Sequence, residues 1–368
     1  MTSRHASDGG RRGIATWIIV TVVVVVLLAG GITAYLLIVN DDEQSAGACQ
    51  SQVVLPVVTA PGPAAAITQA ATAFDATAPV ARSACVSTTV TAMPDDEAAT
   101  ALAADWQPPV GSPPGMWVPA SEAALTGLET TDSPLTAGRG NDPLATSPVV
   151  LAVHSDDAAA VEAAGLSWAA LAEATGPDGS VTLPSGGKLI IALPDPTANR
   201  ATSYALQSYL AVGTGTQVDA AGVPPRASDL SAIGAGGPPS QPATTQDAMA
   251  QLAAGNAGFT AVPVVESDLA AFTATTPGLI AVSPTGGTVG DAVYAVPLTA
   301  SWVDPTMKDA AAVFLAYLRG AGGDTAFADN GLRVEGQASD NPPVTAIPAG
   351  GQDVDAAIAA AIGAPPAG

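Results

Sequence analysis

Thr59, Ser121, Ser155, Asn199, Thr202, Ser203 and Glu266 have the chemistry to hold a small polar ligand. All but Glu266 offer neutral hydroxyl or amide groups. Each stands at the C-terminal end of a predicted strand or at a helix start, and open α/β sheets bind ligands at such ends. The same residue types cap helices by accepting first-turn N–H groups. A carboxylate at a helix start is favoured by the helix dipole alone, which is the simpler account of Glu266. Ligand donor and helix cap therefore stand side by side as readings of these positions.

Catalytic chemistry is poorly supplied. The chain has two His. His5 precedes a long apolar run, which leaves His154 as the one imidazole for the rest of the chain. That excludes a His-rich metal site and allows at most one Ser–His–Asp arrangement. No Ser lies in G-x-S-x-G, and no P-loop or G-x-G-x-x-G follows a strand. Asp156-Asp157 beside His154 read as the start of a helix over 156–164. Trp106, Trp117, Trp168 and Trp302 could stack a sugar or aromatic ligand, but core anchoring is the commoner use of such rings. The expectation is a binding protein, not an enzyme, with no metal and no cofactor.

The elements that must position these residues are read from periodicity. Residues 189–210 give a short apolar strand, a turn broken by Pro194 and Pro196, and a helix with Ala201, Ala205, Leu206, Tyr209 and Leu210 on one face. A strand feeding a helix through a tight turn aims free backbone N–H groups at one point. Similar alternation runs from residue 53 to about 334 and predicts an α/β fold of largely parallel sheets, long enough for two lobes. Two loops, 107–114 and 234–242, are rich in Pro and Gly. Residues 335–368 are Pro/Gly-rich too, with one short helix expected over 354–362, and read as a tail with little core of its own.

Residues 14–39 are apolar and uncharged, long enough for a helix across ~30 Å of hydrocarbon. Arg4, Arg11 and Arg12 precede them and Asp41-Asp42-Glu43 follow, so residues 1–13 are expected in the cytoplasm and residues 40–52 as an outer linker. An uncut signal anchor fits the length best. Cleavage after Ala48 and lipidation of Cys49 are the other readings. Net charge is −22, with 33 acidic residues against 11 basic, which argues against nucleic acid as a partner. Cys49 and Cys85 precede and open two predicted strands, 53–59 and 85–91, that would be neighbours in a parallel sheet. A disulfide between them is the expectation for an outer domain, against unlinked thiols.

Several segments in fixed order resemble type II periplasmic solute-binding proteins, in particular the molybdate/sulfate-like branch: 53–76, Gly115-Met116-Trp117-Val118-Pro119-Ala120-Ser121, 147–154, 189–210, 248–272 and 294–334. The closest likeness is to actinobacterial membrane-anchored forms that carry a von Willebrand A domain, which is absent here. The resemblance implies a two-lobed α/β fold with a central cleft, preceded by one transmembrane helix. Lobe one would comprise 53–152 and 290–334 and lobe two 153–289, with hinges near 150–155 and 286–290. It implies capture of a small solute for uptake or sensing, with a membrane permease or a separate von Willebrand A protein as partner. Ala201 and Thr202 would act there through backbone N–H groups, beside Tyr204. The oxyanion pattern departs at Gly62, at Met93-Pro94-Asp95-Asp96-Glu97 and near Val264, so the solute class does not carry over. The alternative is a cell-envelope interaction module with a vestigial cleft.

Overall fold

Strand β1 (Ser51–Thr59) is exposed where it begins and fully enclosed where it ends. Its last residues, Val57, Val58 and Thr59, are the floor on which the first lobe is built. The computed structural model describes residues 49–107, 110–137, 140, 142–170, 180–235, 238, 241–337 and 344–363. The apolar segment 14–39 lies outside them. Among the described residues no helix is long and apolar enough to cross a membrane.

From β1 the chain passes through α1 (Ala64–Asp75), β2 (Val80–Ala81), β3 (Ala84–Ala92), α2 (Asp95–Ala103), β4 (Met116–Val118) and α3 (Glu122–Asp132). It then crosses over along β5 (Ala145–His154) to α4 (Ser155–Ala163), β6 (Val181–Thr182), β7 (Lys188–Leu189), α5 (Arg200–Leu210), α6 (Ala227–Ala235), α7 (Thr245–Ala253), β8 (Ala261–Val265), α8 (Glu266–Thr273) and β9 (Leu279–Val282). It returns along β10 (Gly287–Val293) to β11 (Val296–Pro297), α9 (Pro305–Leu318) and α10 (Ala321–Asp329). It ends in β12 (Thr345–Pro348) and α11 (Gln352–Gly363).

Two five-stranded sheets result. The first has the order β11-β4-β1-β3-β2, with β1, β3 and β4 parallel. The apolar face of α1 (Ile67, Ala70, Phe74) packs with Phe314 and Phe327 of α9 and α10 to bury one side of it. The second has the order β12-β10-β5-β8, with β9 also on β5. Its core gathers Val149, Leu151, Leu206, Leu230 and Ile358. Cys49 and Cys85 form the expected disulfide. Gln50 donates to the Ser83 carbonyl at 2.7 Å, which brings the two cysteines side by side.

Three stretches of chain join the lobes. Residues 145–148 pair antiparallel with 290–293. Thr146 and Arg333 exchange two backbone hydrogen bonds of 2.8 Å. The crossing is tight: a Cβ on Gly290 would lie 2.3 Å from the Ser147 carbonyl oxygen, so glycine is required there. These positions differ from the expected hinge at 150–155, of which residues 150–154 pair with β8 or β9 inside the second sheet and Ser155 opens α4. The apolar run in 189–193 is also shorter as a strand than expected. Only Lys188–Leu189 pairs as a ribbon, and Ile191 makes a single parallel bridge to Ala261.

The largest departure is the C-terminal segment. Its composition predicts a tail with little core, whereas β12 adds a parallel strand to β10, and α11 packs on α6 and buries Val354, Ile358 and Ala361. The spacing of those three apolar residues on an Ala-rich helix is a core-facing stripe. Deleting residues 344–368 is therefore expected to lower the thermal midpoint by more than about 10 °C, or to abolish cooperative unfolding, because several buried apolar side chains are lost together. A melt of the truncated chain that overlays the intact one would show this packing to be dispensable.

Candidate functional site

In the first sheet β1 lies between β3 and β4. Chain order therefore reverses across β1, and the carboxyl ends of these parallel strands leave a crevice. A cleft of about 1090 Å³ opens there between the lobes. Its lobe-one wall is Ala60-Pro61, Pro94 to Asp96 and Ala120-Ser121, the residues that follow the three strand ends. Its other wall is the start of α5 (Pro196 to Ala198, Arg200, Ser203, Tyr204) and the start of α11 (Gly350 to Asp353, Asp355). Asp291, on the crossing strand β10, sits at the base.

The base is held by a charged network. Arg200 Nη2 donates to both carboxylate oxygens of Asp268, at 2.9 and 3.0 Å. Its Nη1 lies 3.4 Å from Asp291 Oδ2, and the Tyr204 hydroxyl donates to Asp291 Oδ1 at 2.9 Å. Asp291 is buried, and burial pushes its pKa up in spite of Arg200 and Tyr204, which both pull it down. Burial, then the Asp291 charge, raises the Tyr204 phenol, so it stays a donor. Gly62 explains how the guanidinium fits. A Cβ there would lie 3.0 Å from Arg200 Nη1 and 3.1 Å from Asp291 Oδ2. The turn of lobe one thus leaves room for an arginine from lobe two.

Two further carboxylates face the cleft. Asp95 opens α2; its Oδ2 accepts the Ala120 N–H at 3.0 Å, while its Oδ1 is buried and makes no hydrogen bond. Burial raises its pKa to about 7, helped by Asp291 and Asp96 and opposed by backbone N–H groups of Ala120 and Ser121. Asp355 opens α11 and accepts from Ser203 Oγ and from Gln207 Nε2. Burial raises it too, against those two hydrogen bonds.

The expected ligand donors are scattered by the fold. Ser121 and Ser203 line the cleft. The Ser121 Oγ also accepts the Ala124 N–H at 3.3 Å, so it caps as well. Thr59 is fully buried and donates to the Ala60 carbonyl at 3.3 Å. Ser155 is exposed at the start of α4, and its N–H donates to Gly278. Asn199 is spent inside lobe two: Nδ2 donates to the carbonyls of Asp195 and Ala243, and Oδ1 accepts the Thr245 N–H. Asn199 and Ala201 line a separate pocket of about 620 Å³ between α5, α7 and α8. Thr202 is fully buried beside a third pocket of about 410 Å³. Glu266 does not line the cleft. Both its oxygens accept from Arg333, at 2.5 and 2.9 Å, in a bidentate pair beside the third crossing, with Glu266 itself buried.

The working groups that were missed are Arg200, Asp291 and Asp355. Arg200 stands between Asn199 and Ala201 in the sequence, and only its reach past Gly62 gives it away. Asp355 lay in the supposed tail. Asp95 was visible as part of an acidic run. Trp106, Trp117 and Trp168 are core residues, and Trp302 is tied by its indole N–H to the Pro114 carbonyl at 2.9 Å. His154 caps α4 by accepting the Asp156 N–H.

Two α/β lobes joined by three crossings around a ligand-sized cleft define the two-lobed type II periplasmic-binding-protein fold. Solved structures agree. The substrate-binding domain of a putative molybdenum ABC transporter from Clostridium difficile matches with TM-score 0.52 and 15% identity, over 77% of this chain and 99% of that one. The sulfate-binding protein SubI from Mycobacterium tuberculosis matches with TM-score 0.51 and 15% identity, over 83% and 96%. A periplasmic thiamin binding protein matches with TM-score 0.55 and 12% identity, over 85% and 97%. A comparison with curated proteins returned no match. The chain belongs to the bacterial extracellular solute-binding protein family, whose model matches residues 55–333. Members of this family bind solutes and do not catalyse reactions.

Proposed function

We propose that this protein is a membrane-tethered receptor that captures a small solute between its lobes outside the cell. Residues 14–39 would be the single membrane-spanning anchor, and the bound protein would hand its solute to a permease or report it to a sensor. The observation that carries the reading is the cleft itself. Its volume is that of a small-molecule site, and it lies at the switch point of the first sheet, flanked by three chain crossings suited to hinge closure. The mode of action would be closure over the solute by bending at residues 145–148, 290–293 and 333.

The vestigial-cleft reading has one observation in its favour. Arg200 fills the base from within and is neutralised there by Asp268 and Asp291. Such a protein would act through a partner, for example a von Willebrand A domain supplied by another chain.

The test is a thermal-shift screen of the full chain in mild detergent, with anionic, neutral and cationic solutes. A solute present at 100 times its dissociation constant adds about 2.7 kcal/mol of stability and raises the midpoint. A raised midpoint with any class supports capture. No shift with any class, together with recovery of a specific partner, favours the interaction module.

A further inference from the structure

We infer that the solute is an organic cation, an ammonium-bearing small molecule whose charge pairs with Asp95 on the lobe-one wall and Asp355 on the lobe-two wall. This rests on the capture reading above and gives it a chemical class.

The argument is one of charge and partners. Asp95, Asp96, Asp291, Asp353 and Asp355 line the cleft, and among the described residues its one lining cation is Arg200. That guanidinium is already committed, to Asp268 on one side and Asp291 on the other. Asp95 has no counter-ion. Its buried Oδ1 is unbonded, and a buried polar atom without a partner is costly unless something supplies one. Asp355 receives only neutral donors, the Ser203 hydroxyl and the Gln207 amide. The two carboxylates belong to opposite lobes. A cation placed between them would neutralise both and draw the lobes together, which couples binding to closure.

An anion meets the opposite situation. It would enter a lining whose uncommitted charges are all negative. A bare metal ion fits no better, because among the described residues no three His, Cys, Asp or Glu side chains stand close enough to hold one. Hard divalent ions need many oxygen ligands at once. An ammonium group needs a carboxylate or two and a cavity for its carbon skeleton, and both are present.

The pH dependence has a definite sign. Asp96 on its own helix and Asp291 from β10 act on Asp95, and Arg200 from α5 and Asp353 and Asp355 from α11 line the same cleft. Burial pushes the Asp95 carboxyl up to about 7. A cation binds the deprotonated form, so affinity should rise about tenfold from pH 6 to pH 8 and then level.

The experiment is calorimetric titration of the full chain with choline, agmatine, putrescine and thiamine as cations, sulfate and molybdate as anions, and sucrose as the neutral probe. The expected result is saturable binding of at least one cation, strengthening from pH 6 to pH 8. Asp95→Asn should weaken it roughly 30-fold or more and reduce the pH dependence to the part that Asp355 contributes. Asp95→Glu, which keeps the charge, should retain part of the affinity, and the melting midpoint of each variant reports whether it is folded. Binding of sulfate, molybdate or sucrose with no cation bound would overturn the inference while leaving solute capture intact. A blank with every class would remove the capture reading itself. Cation binding that is unchanged in folded Asp95→Asn would overturn the assignment of Asp95.

Discussion

Replacing Arg333 by Ala is expected to destabilise the protein by about 3–5 kcal/mol, among the largest losses any single side chain here should cause. Glu266 is buried, Arg333 is 14% exposed, and the two share two hydrogen bonds. Removing the guanidinium leaves a carboxylate in the interior without its counter-charge, and that group cannot regain water without opening α8. Replacing Glu266 by Gln in the Arg333→Ala background should recover part of the loss, because the orphaned charge disappears. Denaturant unfolding of the two variants and the double variant measures both effects. A loss below about 1 kcal/mol for Arg333→Ala would mean that water reaches Glu266 at little cost. Because Arg333 also lies on the third crossing, paired with Thr146 through the backbone, the same variant should loosen the junction between the lobes and raise amide exchange at Thr146.

Reduction of Cys49–Cys85 should cost about 4 kcal/mol by the loop-entropy account, given the 36-residue separation. The bridge closes a loop that contains α1 and the whole of β1. Without it, the exposed first half of β1 is held by backbone pairing to β3 alone. Melts with and without reductant, and with Cys49→Ser and Cys85→Ser together, give the measurement. The double variant should match the reduced protein. Agreement of reduced and oxidised midpoints within a degree or two would show that the chain before β1 is already immobilised by other means.

The frame was legible in the sequence because strand–turn–helix units leave local signatures. The apolar run ending at Thr59, the helix after Asn199, and Asp304-Pro305 opening the α9 helix all fall where the chemistry of caps and periodicity puts them. The site was less legible, and the reasons are physical. Ser, Thr and Asn at helix starts serve caps and ligands equally well, and here Asn199 is consumed by Asp195, Ala243 and Thr245. Glu266 and Arg333 are 67 residues apart in the chain, so nothing local announces that they meet. Arg200 and Gly62 come from different lobes, and the meaning of the glycine appears only when the arginine is seen beside it. The C-terminal helix reads as part of a tail because Pro and Gly surround it. Its Val354, Ile358 and Ala361 stripe was visible, but the strand that docks it had no signal of its own in Thr345–Pro348.

The disulfide has a mechanical consequence. Whatever precedes Cys49 joins the protein at the start of β1, and the nine residues of that strand put about 30 Å between this attachment and the cleft. A pull on the attachment enters at Cys49 and divides at once between β1 and β3, which are paired along their whole length. The load is borne in shear by the centre of the first sheet. The second lobe hangs from its three crossings beyond that sheet and carries none of it, so its movement relative to the first lobe is decoupled from tension at that attachment.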